Sequence, residues 1–444
     1  MNVPGTFPPA QINGVMVSGM LTPASAAFVS PQEVKGFLDQ VTDGYRINFR
    51  SDLLGRELVE DVYEVAEKQN TGFLALLQRQ DWDFAMMMFN ATDVIQHRFW
   101  EEQDAIRKCY QYVDGVIGEV VSAFPDATIF LMSDHGFQGQ YKDFHVNKWL
   151  VDQGYMCIEK SQGAKTSHWE EIGRLEARAE LAEGHLRHSR AYQVLLRLGL
   201  TRQSLRKVIP RAWWNALKGL IPQSLRNRVP VSADVGYEVD LEHTQASAFQ
   251  LYGIESKAIK VMNVDPPSRE RLCAELVQRL TDLRDPQTGG RVVRHGYRRE
   301  ELYEGPYVAQ APDIILDLYD GYNITNAFFA DDWVTTRENV WGCHHREGIF
   351  VACGNDIQSG KELDSPLSLI DVMPTVLHYL GSPVPDDCDG RVLKEIFRTD
   401  SDVYRQEVTY EEMEWKERVG DGPLSYTDDE QAEIEERLRA LGYL

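Results

Sequence analysis

Two short apolar runs with a helical pattern between them constrain this sequence more than any other feature. The first runs from Phe84 to Phe89 and the second from Ala127 to Met132, and each has the length of a buried strand. Between them, residues 101–124 place apolar side chains close to the 3.6-residue helical period. A strand, a helix and a second strand in this order predict a right-handed βαβ unit with parallel strands. We therefore expect an α/β fold.

Acidic residues and histidines follow both runs. Asp93 and His97 come directly after the first run, four residues apart, so they share one face of a helical turn. Asp134 and His135 come directly after the second. Open α/β sheets build their sites at the carboxyl ends of neighbouring strands. Carboxylate oxygen and imidazole nitrogen together suit zinc or manganese, so the pattern predicts a metal site there.

Each pair has a plainer interpretation when it is taken alone. Asp93 with His97 is more often a solvated helix start with a surface histidine. Asp134 with His135 is as consistent with a turn that caps the next helix. Two such pairs at equivalent strand ends make the plainer interpretation much less favourable than the metal site.

The charge and cysteine content narrow the class of protein. Lys and Arg number 46 against 69 Asp and Glu, a formal net charge of −23, which argues against a general nucleic-acid binder. The six cysteines form no C-x-x-C pair, so we expect a reducing compartment. The first ten residues contain no Lys or Arg, and no apolar run approaches the roughly 20 residues that span a bilayer. We expect a cytoplasmic protein.

A basic segment interrupts this acidic chain. Residues 186–228 contain ten Lys or Arg and no Asp or Glu, with Leu and Trp residues at amphipathic spacing. We interpret residues 162–232 as a helical insertion whose arginines are solvated or paired. Contact with an anionic substrate or a membrane surface is the less favoured alternative. The predicted organisation is residues 1–161 and 233–400 as two parts of one core, with this insertion between them and an acidic helical tail at 401–444.

The motifs around the predicted metal site resemble those of a known family. The segment Phe130 to Phe137, with Asp93 and His97 before it and Gly342-Cys-His344-His-Arg-Glu-Gly348 after it, resembles the type I phosphodiesterase/nucleotide pyrophosphatase family of the alkaline phosphatase superfamily. Further agreement comes from Asp285-Pro-Gln-Thr-Gly289, Ala311-Pro-Asp313, Asp371-x-x-Pro374-Thr375 and Leu441-Gly-Tyr-Leu444. The resemblance covers nearly the whole chain apart from the basic insertion. It implies an alkaline-phosphatase-like three-layer sandwich, with helices on both faces of a central, mostly parallel sheet.

The resemblance also implies two divalent metal ions, zinc or alternatively manganese, about 4 Å apart. Asp93, His97 and His344 would hold the first ion, and Asp134 and His135 would supply part of the second. His345 remains an alternative to His344. The implied activity is hydrolysis of phosphodiester or pyrophosphate bonds in a small phosphorylated substrate, such as a nucleotide or nucleotide-sugar, through a phosphorylated Thr or Ser.

The start of the chain departs from the family pattern. Family members begin with a strand that ends in a metal-binding aspartate, followed by the Thr or Ser nucleophile, and the first residues here resemble the stretch after that region. Thr6 between prolines is a poor candidate nucleophile, because no strand ending in aspartate precedes it. We therefore expect both elements upstream of Met1, and we expect the 444-residue chain alone to hydrolyse phosphodiesters slowly or not at all.

Other activities remain open. A phosphomonoesterase, a phosphonate hydrolase or a phosphomutase of the same superfamily would share these motifs, whereas a sulfatase is disfavoured because its C-x-P-x-R motif is absent. A catalytically inactive binding protein that keeps the fold and part of the metal site is the alternative from a different class. Neither the oligomeric state nor the substrate follows from the sequence.

The expectation of an upstream segment can be tested by intact mass. We predict that the protein captured from its own cells with an antibody against the C-terminal tail has a mass well above the 50.7 kDa of this chain. A mass of 50.7 kDa would contradict this and favour the binding-protein alternative.

Overall fold

The structure is a computed structural model that describes residues 1–23, 26–50, 53–160, 237–249, 258–363, 365–412, 427, 430, 431 and 434. The predicted insertion, residues 162–232, lies outside the described residues. So does most of the predicted acidic tail.

Helices and strands alternate irregularly along the described chain. The helices are Val34–Thr42 (α1), Gly55–Arg79 (α2), Ala91–Arg98 (α3), Gln103–Ala123 (α4), Val146–Asp152 (α5), Pro266–Thr281 (α6), Arg299–Leu302 (α7), Val372–Tyr379 (α8) and Asp402–Arg405 (α9). The strands are Met16–Val17 (β1), Val29–Ser30 (β2), Ile129–Met132 (β3), Gly136–His145 (β4), Ile158–Lys160 (β5), Tyr237–Val239 (β6), Ala246–Phe249 (β7), Ala258–Val261 (β8), Val293–Arg298 (β9), Ile314–Leu318 (β10), Tyr322–Thr325 (β11), Val334–His345 (β12), Phe350–Cys353 (β13), Val384–Pro385 (β14) and Tyr410–Glu411 (β15). Short 3₁₀ turns cover Val308–Gln310, Leu369–Asp371 and Lys394–Ile396.

The chain divides into two compact units. One contains residues 1–138 and 341–437, and the other contains residues 139–340 and 438–444. The division falls within two strands, since β4 begins in the first unit and β12 ends in it. All the residues predicted to bind metal belong to the first unit.

The second unit is built on a four-stranded antiparallel sheet in the order β7-β8-β10-β9. One face of α6 buries Leu276 and Leu280 completely, in a core that also contains Ile259 and Ile314 of the sheet. The strand order β11-β4-β12 forms a second sheet, in which β11 and β4 run parallel. Apolar residues on alternate positions of β10 are buried, as expected for a strand with one face on a core.

The first unit holds the predicted metal ligands on shorter elements. The helix predicted at residues 101–124 is confirmed as α4, which buries Cys109, Val113 and Val116 at the predicted spacing. The strand predicted at residues 127–132 is confirmed as β3. It pairs with β13 in antiparallel register, and Phe130 packs in the cluster around Phe397.

The other predicted strand is wrong, and the sheet differs from the expected one. Residues 84–89 lie in no strand, and Phe84 and Met86 are 57% and 44% exposed. Their apolar character suits burial, but a strand also requires a neighbouring strand. The backbone of this segment instead hydrogen-bonds to Met1 through Met86 and Met88, and the Phe89 carbonyl accepts a hydrogen bond from the Thr92 hydroxyl. The described residues form an α/β structure whose strands lie in six small sheets rather than one central parallel sheet.

Within the described residues, no helix has both the length and the apolar character that crossing a bilayer requires.

A buried carboxylate stabilises the turn at residues 285–289, which is one of the family-like motifs. Asp285 is fully buried, and its carboxylate accepts hydrogen bonds from Lys142, from the Tyr322 hydroxyl at 2.8 Å and from the Gln287 amide at 2.8 Å. Burial by itself raises the pKa of Asp285, but these donors, led by Lys142, hold that pKa far below its usual range. The carboxylate therefore joins the turn to strands β4 and β11.

We predict that Asp285→Ala lowers the free energy of unfolding by roughly 3 kcal/mol or more, because it leaves the Lys142 ammonium without its buried partner. Chemical denaturation would measure the loss. Asp282→Ala, at an exposed position of the same loop, is the matched control and should cost less than about 0.5 kcal/mol. Equal midpoints for the two variants would contradict this role.

Candidate metal centre

The short helix α3 supplies the first two candidate ligands. Asp93 and His97 are one helical turn apart, and Asp93 Oδ1 lies 3.5 Å from His97 Nε2. The His97 side chain is buried and that of Asp93 is 16% exposed. Both therefore point to the same place, as their spacing predicts.

The loop after β3 supplies the next two. His135 Nε2 lies 3.9 Å from Asp93 Oδ1 and 3.6 Å from Asp134 Oδ1. The Asp134 side chain is 57% exposed, so it stands at the solvent side of His135. The structure thus brings His135 to the α3 ligands and leaves Asp134 further out.

The last residues of β12 supply His344. Its Nε2 lies 3.7 Å from Asp93 Oδ1 and 2.9 Å from His97 Nε2. Its ring stacks on that of His135 with centroids 3.7 Å apart. Residues separated by about 250 positions in the sequence therefore meet around one carboxylate oxygen.

The distances among these atoms fit a metal ion. Asp93, His135 and His344 each offer a ligand atom, and these atoms all lie within 4.8 Å of one another. In a tetrahedral zinc site with Zn–N distances of 2.0–2.1 Å, ligand atoms lie about 3.4 Å apart. The contacts of 2.9–3.9 Å between Asp93 and the histidines and between His97 and His344 bracket that value. The donors in this group are one carboxylate and two imidazoles, which are ligand types that zinc accepts. His97 is not a member of the group, but its Nε2 lies 2.9 Å from that of His344.

Backbone carbonyl groups hold two of the imidazole rings. His97 Nδ1 lies 2.9 Å from the Gly342 oxygen, and His135 Nδ1 lies 3.1 Å from the Gly136 oxygen. A neutral imidazole that donates its Nδ1 hydrogen to a carbonyl keeps the lone pair on Nε2, which is the atom that binds metal in such sites. These contacts therefore set the rings in the tautomer that a metal ion requires.

Burial keeps His97 neutral. Desolvation lowers the pKa of His97 to about 4, although the nearby Asp93 carboxylate opposes the shift. At neutral pH this imidazole carries no proton on its Nε2 that a metal ion would have to displace.

Two glycines allow the three chain segments to approach so closely. A Cβ atom on Gly342 would lie 2.1 Å from the Gln96 oxygen of α3, and one on Gly136 would lie 2.0 Å from the Glu347 oxygen. Any side chain at these positions would push β12 away from α3, or the Asp134 loop away from the His344 loop. Both glycines lie in the family-like motifs, but their packing role depends on segments far apart in the sequence.

The other candidates have different surroundings. His345 Nδ1 accepts a hydrogen bond from the Glu347 amide at 3.2 Å, and His345 does not belong to the group formed by Asp93, His135 and His344. The Thr6 hydroxyl donates to the Val3 oxygen at 2.6 Å. Asp371 accepts hydrogen bonds from the backbone amides of Ser368 and Arg391, so its carboxylate has a structural role.

Phe137 also belongs to the candidate site, although the sequence pattern did not predict it. It follows the Ser133-Asp-His-Gly136 motif directly, and its ring contacts the rings of His97, His135 and His344. Its position directly after a metal-ligand motif could have indicated a role in the site. Its ring contacts could not be predicted, because His97 and His344 lie far from it in the sequence.

One of three comparisons with known proteins found a match. Residues 4–341 match the family model described as type I phosphodiesterase / nucleotide pyrophosphatase. The chain belongs to this family. The matched range contains Asp93, His97, Asp134 and His135 and ends three residues before His344. The support for His344 as a ligand is therefore its distance of 3.7 Å from Asp93 Oδ1. No curated protein and no solved structure matches the chain.

The depressed pKa of His97 predicts how the metal-free protein responds to acid. Because the unfolded histidine takes up its proton near pH 6.5 and the folded one only near pH 4, this residue destabilises the fold as the pH falls between these values. Between pH 7 and pH 4.5 the loss should be roughly 2–3 kcal/mol.

Urea denaturation at the two pH values would measure it. In His97→Gln the loss of stability on acidification should be smaller than in the wild type by about that amount. His243→Gln serves as the control, because the His243 side chain is 71% exposed. This variant should lose as much stability as the wild type when the pH is lowered. An unchanged acid response in His97→Gln would contradict the burial argument.

Proposed function

We propose that this protein is a metal-dependent hydrolase of phosphodiester or pyrophosphate bonds in a small phosphorylated substrate, such as a nucleotide or nucleotide-sugar. The observation that carries the proposal is the placement of Asp93 Oδ1 within 3.9 Å of the Nε2 atoms of three histidines. Membership of the type I phosphodiesterase/nucleotide pyrophosphatase family supports the reaction class. Family membership also supports an alkaline-phosphatase-like fold, although the described strands lie in six small sheets and not in one central parallel sheet.

Two divalent cations fit the proposal, zinc in preference to manganese. Asp93, His97 and His344 would hold one of them, and Asp134 and His135 would contribute to the second. This division of ligands follows the family resemblance. In the structure His135 Nε2 lies 3.6 Å from Asp134 Oδ1 and 3.9 Å from Asp93 Oδ1, within reach of both carboxylates. When bound, the cations would neutralise charge on the non-bridging and leaving oxygens of the phosphoryl group.

The residues of the chain then have defined tasks. The Gly342 and Gly136 carbonyl groups accept the Nδ1 hydrogens of His97 and His135. The Nε2 lone pairs of these two histidines are then free to bind a metal ion. The half-exposed Asp134 side chain is accessible from solvent beside His135. For the covalent step we propose, from the family resemblance, a Thr or Ser hydroxyl that attacks phosphorus and expels the leaving group. Water would later release the phosphoryl group. The Thr6 hydroxyl, which bonds to the Val3 carbonyl, does not support Thr6 in this role.

The proposal is tested with the protein isolated from its own cells, supplied with zinc and given bis(p-nitrophenyl) phosphate. We predict hydrolysis that a chelator stops and added zinc restores. Asp93→Asn should lower kcat/KM by more than about 100-fold, since it removes a direct ligand and not only an outer partner. Asp104→Asn is the control, because Asp104 is an exposed aspartate whose side chain only pairs with Arg107 on α4.

The results separate the alternatives. Faster turnover of p-nitrophenyl phosphate than of the diester would favour the phosphomonoesterase alternative. Tight zinc binding without turnover of either compound would favour the inactive binding protein. Equal activity of Asp93→Asn and Asp104→Asn would contradict the proposed site itself.

A further inference from the structure

One aromatic ring contacts all three histidines of the candidate metal centre. The centroid of Phe137 lies 4.9 Å from that of His97, 5.4 Å from that of His135 and 5.5 Å from that of His344. The interplanar angles are 76°, 60° and 84°, so each contact is of the edge-to-face type. Aromatic rings prefer this arrangement to a face-to-face sandwich.

The ring of Phe137 is itself braced. Trp100 stacks on it, with centroids 6.5 Å apart and an interplanar angle of 24°. The indole of Trp100 also lies against Gly342, where an added Cβ would come within 2.8 Å of it. Trp100 therefore packs between Phe137 and Gly342, which lies two residues before His344.

We propose that Phe137 is a positioning residue that holds the imidazoles of His97, His135 and His344 in the orientation that binds metal. The inference rests on the metal centre of the proposed function and adds a residue that provides no ligand atom.

The physical reason lies in the rotation of an imidazole about the bond that joins it to the side chain. A metal ion must lie near the ring plane, along the lone pair of Nε2, so a rotated ring no longer presents that lone pair. A contact at Nδ1 restrains His97 and His135 at one atom of the ring. A ring packed nearly perpendicular to the imidazole resists its rotation, and partners outside the ligand shell commonly change metal affinity by about 10- to 100-fold.

The test compares zinc affinity in full-length, metal-stripped variants by competition with a chromogenic chelator. Phe137→Leu keeps an apolar side chain and removes the ring. Phe137→Tyr keeps the ring and serves as the rescue. Phe130→Leu is the matched control, because Phe130 makes aromatic contacts with Phe350 and Tyr379 instead. The visible spectrum of the cobalt(II) form reports the ligand geometry without any assay of activity.

We expect Phe137→Leu to weaken zinc binding by about tenfold or more and to alter the cobalt spectrum. Phe137→Tyr and Phe130→Leu should bind within about twofold of the wild type, since the outer contacts that set affinity are retained. If Phe137→Leu does not fold, Phe137→Met takes its place with the same expectation.

Two results would overturn the positioning role while the metal centre stands: wild-type affinity and spectrum in the Phe137 variant, or equal weakening in Phe130→Leu. Failure of the wild-type protein itself to bind zinc would instead overturn the metal centre, and the positioning role with it.

Discussion

The carboxylate of Asp93 is the interaction on which the candidate site depends. Its Oδ1 atom lies 3.5–3.9 Å from imidazole nitrogens that come from three separate segments of the chain. A mostly buried carboxylate is costly unless polar or charged groups compensate for lost hydration. Histidines that surround it meet part of this requirement, and a divalent cation among them would meet it more fully. The same atom therefore links the stability of this region to metal binding.

Close backbone packing makes that convergence possible. Gly342 lets the end of β12 lie against α3, and Gly136 lets the loop after β3 lie against the His344 loop. The side chains that follow these glycines, His344 and Phe137, then reach the carboxylate and the other imidazoles. These two glycines thus allow the rings of His97, His135, His344 and Phe137 to meet. The carbonyl groups of the same glycines restrain His97 and His135.

The sequence predicted local helical features better than the sheet, for a physical reason. The four-residue spacing of Asp93 and His97 is a local property of a helix, and so is the periodicity that predicted α4, so both could be read directly. Strand pairing is not local. Residues 84–89 have the composition of a buried strand, yet their exposure shows that composition does not supply a partner. The antiparallel pairing of β3 with β13 and the ring contacts of Phe137 likewise join residues far apart in the sequence, where a pattern within one window carries no information.

The charge of this protein favours a bound cation in the proposed action on phosphates. The chain has a formal net charge of −23, so its overall field repels a phosphorylated substrate. With neutral histidines, Asp93 and Asp134 give the candidate site a formal charge of −2, which attracts divalent cations and disfavours anions. Two bound divalent cations would change that local charge to +2, and only then would the site attract a phosphate. Salt should therefore affect the two partners in opposite ways: screening would weaken cation capture by the site and would relieve the long-range repulsion of the substrate.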